Sequence, residues 1–190
     1  YKMRDLNKLS KEIYRANKAK GFHEEKHSAD HMLCLVISEL MEAVEADRKG
    51  NRVNYHCEED GLAYTIMEDA EFKEWYECTT KGSVEEELAD AMIRLLDTAG
   101  ALDVVIDEDF ITNCFNAPNS EWLSSSSFTE KIFVLCGVLF ESETDSTRCI
   151  INTISALFII CKNIGVDIWT HIDMKLRYNG LRPYKHGKKY

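Results

Sequence analysis

The chain has 190 residues, 45% of them apolar and 29% charged, a balance that suits one compact globular domain spanning 1–190 rather than two. A formal net charge of −10 argues against a binder of nucleic-acid backbones, and no run of about eighteen uncharged apolar residues exists to span a membrane. Seven cysteines without a CxxC spacing fit a reducing cytoplasm better than a disulfide-built secreted domain.

The opening "YKMRDLNKLSKEIYRANKAKG" is charged throughout and does not read as a secretory signal. Because Tyr1 rather than Met leads it, residues preceding it are expected in the natural protein. Only two prolines, Pro118 and Pro183, and long helical apolar periods predict an all-α fold. A first helix is expected over about 3–19, with Leu6, Leu9, Ile13 and Ala16 on one face and Gly21 ending it. A second starts at about 28, near Ser28 or Asp30, and runs to Lys49-Gly50. From 51 to 82 the chain is polar and poorly periodic, with a short helix expected near 68–77. Ser83 then reads as an N-cap, and Glu86 three residues later completes a capping box for a third long helix, 84 to about 102. Residues 107–127, rich in Ser and Asn and holding Pro118, read as a loop. Helices are expected again at about 128–140, 147–164 and 167–179, followed by an irregular basic tail. The similar endings "GALDVVID" and "NIGVDIW" suggest that 107–150 is an insertion in one longer architecture.

Two of these helices carry acids beside their own apolar stripes. In "ISELMEAVEA" (37–46), Glu39 and Glu42 project from neighbouring rows of one face, with Glu45 rotated further away. In "VEEELADAMIRLLDTAG" (84–100), Glu87, Asp90, Arg94 and Asp97 form a polar stripe at 3-4-3 spacing. An isolated acidic stripe is usually a solvated face. Here both segments are too apolar to lie open to water, so the stripes are expected to face each other. Clustered carboxylates repel and lose hydration, and a hard divalent cation such as Mg²⁺ relieves both costs. A di-iron bundle is disfavoured, because no His stands three residues after Glu39, Glu42 or Glu87. His27 and His31 form an HxxxH pair without a telling third zinc ligand.

"SELMEAVEADRKG", followed by "EEELADAMIRLLD" and by the ending "KLRYNGLRPYKHGKKY", resembles the MazG-like all-α nucleoside triphosphate pyrophosphatases, the superfamily that includes dimeric dUTPases and dCTP pyrophosphatases. The resemblance covers about 22–50, 83–106 and 163–190, with Ser38 in place of the leading acid of an EExxE motif. It implies a multi-helix bundle with inserted segments near 51–82 and 107–150. The implied activity is Mg²⁺-dependent hydrolysis of a nucleoside triphosphate to monophosphate and pyrophosphate, a housekeeping reaction of the nucleotide pool, with Mn²⁺ as a substitute ion.

On that resemblance Glu39, Glu42, Glu87 and Asp90 would hold metal, with Glu45 either an outer ligand, a water-orienting base or a solvated surface acid. Lys175, Asn179 and Arg182 match a KMxxNxxR-like ending, with Leu176 replacing Met, and would grip phosphate; an ordinary basic C-terminus is the competing reading. Arg94 would clamp Asp90 or Asp97, or merely neutralise the stripe. His31 and His23, with Phe22, are pocket candidates, and Trp75, Trp122 and Trp169 read equally as base-stacking or packing residues. Relatives imply a homodimer or homotetramer. The alternative is a catalytically silent helical protein for nucleotide binding or assembly.

Overall fold

A computed structural model describes residues 3–53, 64–140 and 145–187. The fold is all-α, with no strand among the described residues. In chain order the helices are α1 (Leu6–Ala19), α2 (Ala29–Arg48), α3 (Asp69–Thr79), α4 (Val84–Ala101), α5 (Glu108–Asn116), α6 (Glu121–Ser125), α7 (Phe128–Phe140), α8 (Ser146–Asn163) and α9 (Ile168–Leu181), closed by a 3₁₀ turn at Tyr184–Gly187. No single helix among the described residues is long and apolar enough to cross a membrane.

Side-chain caps set the helix starts. The hydroxyls of Ser28 and Ser83 accept from the backbone N–H groups of His31 and Glu86, both at 3.2 Å, where the sequence places the starts of α2 and α4. Stretch 107–127 departs from the loop expectation and forms α5 and α6. Asp107 accepts from the Phe110 N–H and Ser120 from the Leu123 N–H, while Ile111 and Leu123 turn into the core. The Ser, Asp and Asn content that suggests a loop is thus partly capping content. The expected helix near 68–77 is α3; residues 54–63 of the same polar stretch lie outside the described residues.

Helix α4 is the axis of the bundle, packed against α1, α2, α8 and α9. Its Leu88, Met92, Leu95, Leu96 and Ala99 are fully buried, meeting Val36, Leu40 and Ala43 of α2 in one core. Gly100 allows α1 to cross closely: a Cβ there would stand 2.6 Å from the Ser10 carbonyl oxygen. A second core joins α3 to α9 through Phe72, Tyr76, Met174 and Tyr178, with the Tyr76 and Tyr178 rings stacked at 4.6 Å. The basic ending is more ordered than the sequence suggests. Lys185 donates its backbone N–H to Lys20, and the Lys20 ammonium reaches the carbonyls of Gly180 and Arg182, tying the tail to the end of α1.

Candidate functional site

Along α4 the partly exposed positions Asp90, Arg94 and Asp97 open a strip in an otherwise buried helix, and α2 lies alongside. Glu39, Glu42 and Glu87 converge where the two helices meet, each offering a carboxylate oxygen, all within 4.8 Å of one another. Glu39 and Glu87 are buried, and Glu42 opens to solvent. Three hard oxygen donors with one open side suit a divalent cation that also keeps water or phosphate ligands.

The electrostatics support that fit. Burial, followed by the neighbouring charges of Glu86 and Asp90, pushes the Glu87 carboxyl up to about 8. Glu39 is also raised, by burial first and by Asp90 second, although Arg94 opposes the shift. Among the described residues the Glu87 side chain makes no hydrogen bond or ion pair; Lys175 offsets its raised pKa only in part, which leaves room for a proton or an added cation.

Arg94 pairs with Glu39, at 2.5 Å from Nε to Oε1, rather than with Asp90 or Asp97. It lines a pocket beside the cluster and therefore forms a wall common to both. Asp90, Asp97, Asn179 and Arg182 supply further polar lining, and Phe22, Met32, Leu35 and Ile93 the apolar lining. The pocket also takes Asn17, His23, His27 and His31. His23 Nε2 sits 3.0 Å from both carboxylate oxygens of Asp97, with the Tyr14 ring edge-on to its imidazole. The His27 and His31 rings stack at 4.3 Å.

Asp90 and Lys175 occupy a different environment from the one the motifs imply. Lys175 is buried, and its ammonium lies 2.5 Å from Glu86 and 2.6 Å from Asp90. Burial alone would lower its pKa, but the charges of Asp90 and Glu86 outweigh that and raise it. Glu86 also accepts from the Tyr76 hydroxyl and the Gly82 N–H. Asp90 thus stands outside the three-carboxylate cluster, and Lys175 outside the pocket lining. Glu45 is exposed and pairs with Arg48 and Lys49, the solvated arrangement. Trp75, Trp122 and Trp169 are not part of the pocket lining. Glu86 and Asp97 support the site in ways the sequence did not show, since it offered them only as a capping acid and a member of the polar stripe. Glu86 was hidden behind its capping role, while the partner of Asp97 is 74 positions away.

No family model, curated protein or solved structure matches this chain.

Proposed function

We propose that this protein hydrolyses a nucleoside triphosphate, a dNTP or non-canonical NTP, to the monophosphate and pyrophosphate in a Mg²⁺-dependent reaction of the MazG-like all-α kind. The observation that carries the reading is the convergence of Glu39, Glu42 and Glu87 beside a pocket that shares Arg94 with them. The ordered motifs along the sequence point the same way.

In this reading Glu39, Glu42 and Glu87 would hold Mg²⁺, or Mn²⁺ in its place, while Asp90 lines the neighbouring pocket. The bound ion supplies neutralisation of phosphate charge and Lewis acidity. Arg94 fixes the Glu39 carboxylate through its short ion pair. Arg182 and Asn179, which line the same pocket as Arg94, donate hydrogen bonds to phosphate oxygens. Phe22, Met32, Leu35 and Ile93 exclude water from the nucleoside, while the Asp97 carboxylate holds His23 in place beside it. Lys175 acts from behind, holding Asp90 in position rather than touching substrate. The oxygen of a water molecule attacks the α-phosphorus, the bond from that phosphorus to the α–β bridging oxygen breaks, and pyrophosphate leaves.

The test is a panel of canonical and modified NTPs and dNTPs incubated with Mg²⁺ and with Mn²⁺, scored for pyrophosphate and orthophosphate. Monophosphate and pyrophosphate appearing together are expected. Diphosphate with free phosphate as first products means a different reaction class. Absence of turnover across the panel favours the catalytically silent alternative.

A further inference from the structure

Helix α7 lies in the stretch outside the resemblance, and its outer face is apolar. Phe133 is 79% exposed, Phe140 70% and Val134 48%, with Gly137 between them also at the surface. Beside this ridge runs a groove of about 570 Å³ between α2 and α7, walled by Ile37, Met41, Val44 and Cys136 together with the two phenylalanines. A helix this apolar around its whole circumference is ordinarily covered. Patches of this kind on a globular chain mark interaction sites.

The geometry points to a second copy of this chain as the occupant, packed α7 against α7 across a two-fold axis. An isologous contact needs one patch to complement itself, and here an aromatic ridge adjoins an apolar groove on the same face. The two-fold seats Phe133 and Phe140 of each copy in the groove of the other. At these exposures the two rings leave roughly 300 Å² of apolar surface in water per copy. With Met41, Val134 and the groove walls, the two copies together remove about 1,000 Å², the size at which a specific interface begins.

Charge favours the same arrangement. The chain carries a net −10, so like copies repel wherever acids meet. The groove lining carries one charged residue, Glu130 in the first turn of α7, and antiparallel packing puts the two Glu130 side chains at opposite ends of the contact. Gly137 lets the two helices approach, since an added Cβ there meets nothing within 4 Å in the single chain.

Sedimentation velocity and light scattering across a dilution series test this. The full chain should run at twice its 21.9 kDa mass at concentrations on the order of 10 µM. Phe133→Glu should weaken the dimer by about thirtyfold or more, the loss of a central anchor. Gly137→Arg should do the same while leaving the helix as well formed, because Arg is the better helix former. Far-UV circular dichroism should be unchanged in both variants. A wild-type chain that stays monomeric throughout the series overturns the inference, whether or not it floats with phosphatidylcholine–phosphatidylserine vesicles. So does a dimer that both variants leave intact.

Discussion

Glu86 and Glu87 are neighbours on α4, both buried, yet their surroundings are opposite. Glu86 points toward α9 and α3, where Lys175, the Tyr76 hydroxyl and the Gly82 N–H all converge on it. Glu87 points toward α2, where Glu39 and Glu42 bring further carboxylate oxygens within 4.8 Å. One acid completes an internal network, and the other sits in a cluster that the chain leaves short of positive charge. A buried carboxylate by itself therefore says little about function. What distinguishes a site from a strut is whether the protein supplies the counter-charge.

The comparison breaks most visibly at Lys175. Replacing it with Met leaves Glu86 and Asp90 facing each other with no cation between them. The expected loss is on the order of 3–5 kcal/mol in a urea unfolding titration, the cost of breaking a buried pair from one side. The double variant Glu86→Gln/Lys175→Met should recover a large part of it, since both charges then disappear together. A single-variant loss below about 1 kcal/mol would show that the network is not a strut.

The opposite outcome is expected one residue along. Removing charge at Glu87 relieves repulsion, so Glu87→Gln should stabilise the metal-free chain at alkaline pH by about 1–3 kcal/mol. The same variant should lose most of the melting-temperature rise that Mg²⁺ or Mn²⁺ gives the wild type through selective binding to the folded state. A Glu87→Gln chain that is less stable than wild type at pH 9 and keeps the full metal response would remove the distinction between the two acids.

The pH profile sharpens the same contrast. A carboxyl whose folded pKa is raised adds stability that is complete below its ordinary value of 4.5 and is lost as pH rises through about 8. The metal-free wild type should therefore lose stability progressively from about pH 5 to about pH 8 and level off above, a loss on the order of a few kcal/mol. Added Mg²⁺ should offset that loss increasingly as the pH rises, because the ion competes with the Glu87 proton. Thermal melts with and without Mg²⁺ across this range measure it. A metal-free profile that is flat through this window, or that rises, would contradict the environment assigned to Glu87.

What was legible in the sequence is what depends on neighbouring residues. The starts of α2 and α4 follow from Ser28 and Ser83, and the Glu87-Asp90-Arg94-Asp97 stripe follows from helical spacing alone. The convergence of Glu39, Glu42 and Glu87 was also expected, since two apolar helices with acidic stripes have few ways to pack. The pairing of Lys175 with Glu86 was not, because 89 positions separate them and a capping box already explained Glu86. Likewise Arg94 chose Glu39 on α2 over the acids of its own helix, a choice set by the crossing of the helices rather than by spacing. Helices α5 and α6 escaped because their capping Asp107 and Ser120 lie in Ser- and Asn-rich segments that resemble loops.

The smallest effect should fall at Glu45. It continues the three-residue rhythm of Glu39 and Glu42, yet a further step turns it onto the exposed side of α2, paired with Arg48 at 3.0 Å and Lys49 at 3.3 Å. Exposed pairs of this kind contribute a few tenths of a kcal/mol, and salt screens them. Glu45→Ala should therefore leave both the Mg²⁺-induced stabilisation and pyrophosphate release close to wild type, within about twofold, with a stability change below about 0.5 kcal/mol. The decisive measurement is the Mg²⁺ titration of that variant, monitored by melting temperature beside Glu42→Ala. Glu42 shares the exposed side of the cluster but offers an oxygen to it, so its loss should abolish the response that Glu45→Ala retains. An equal loss in both variants would mean that the acidic face of α2 attracts cations diffusely along its length. The three-carboxylate site would then have no privileged position on it.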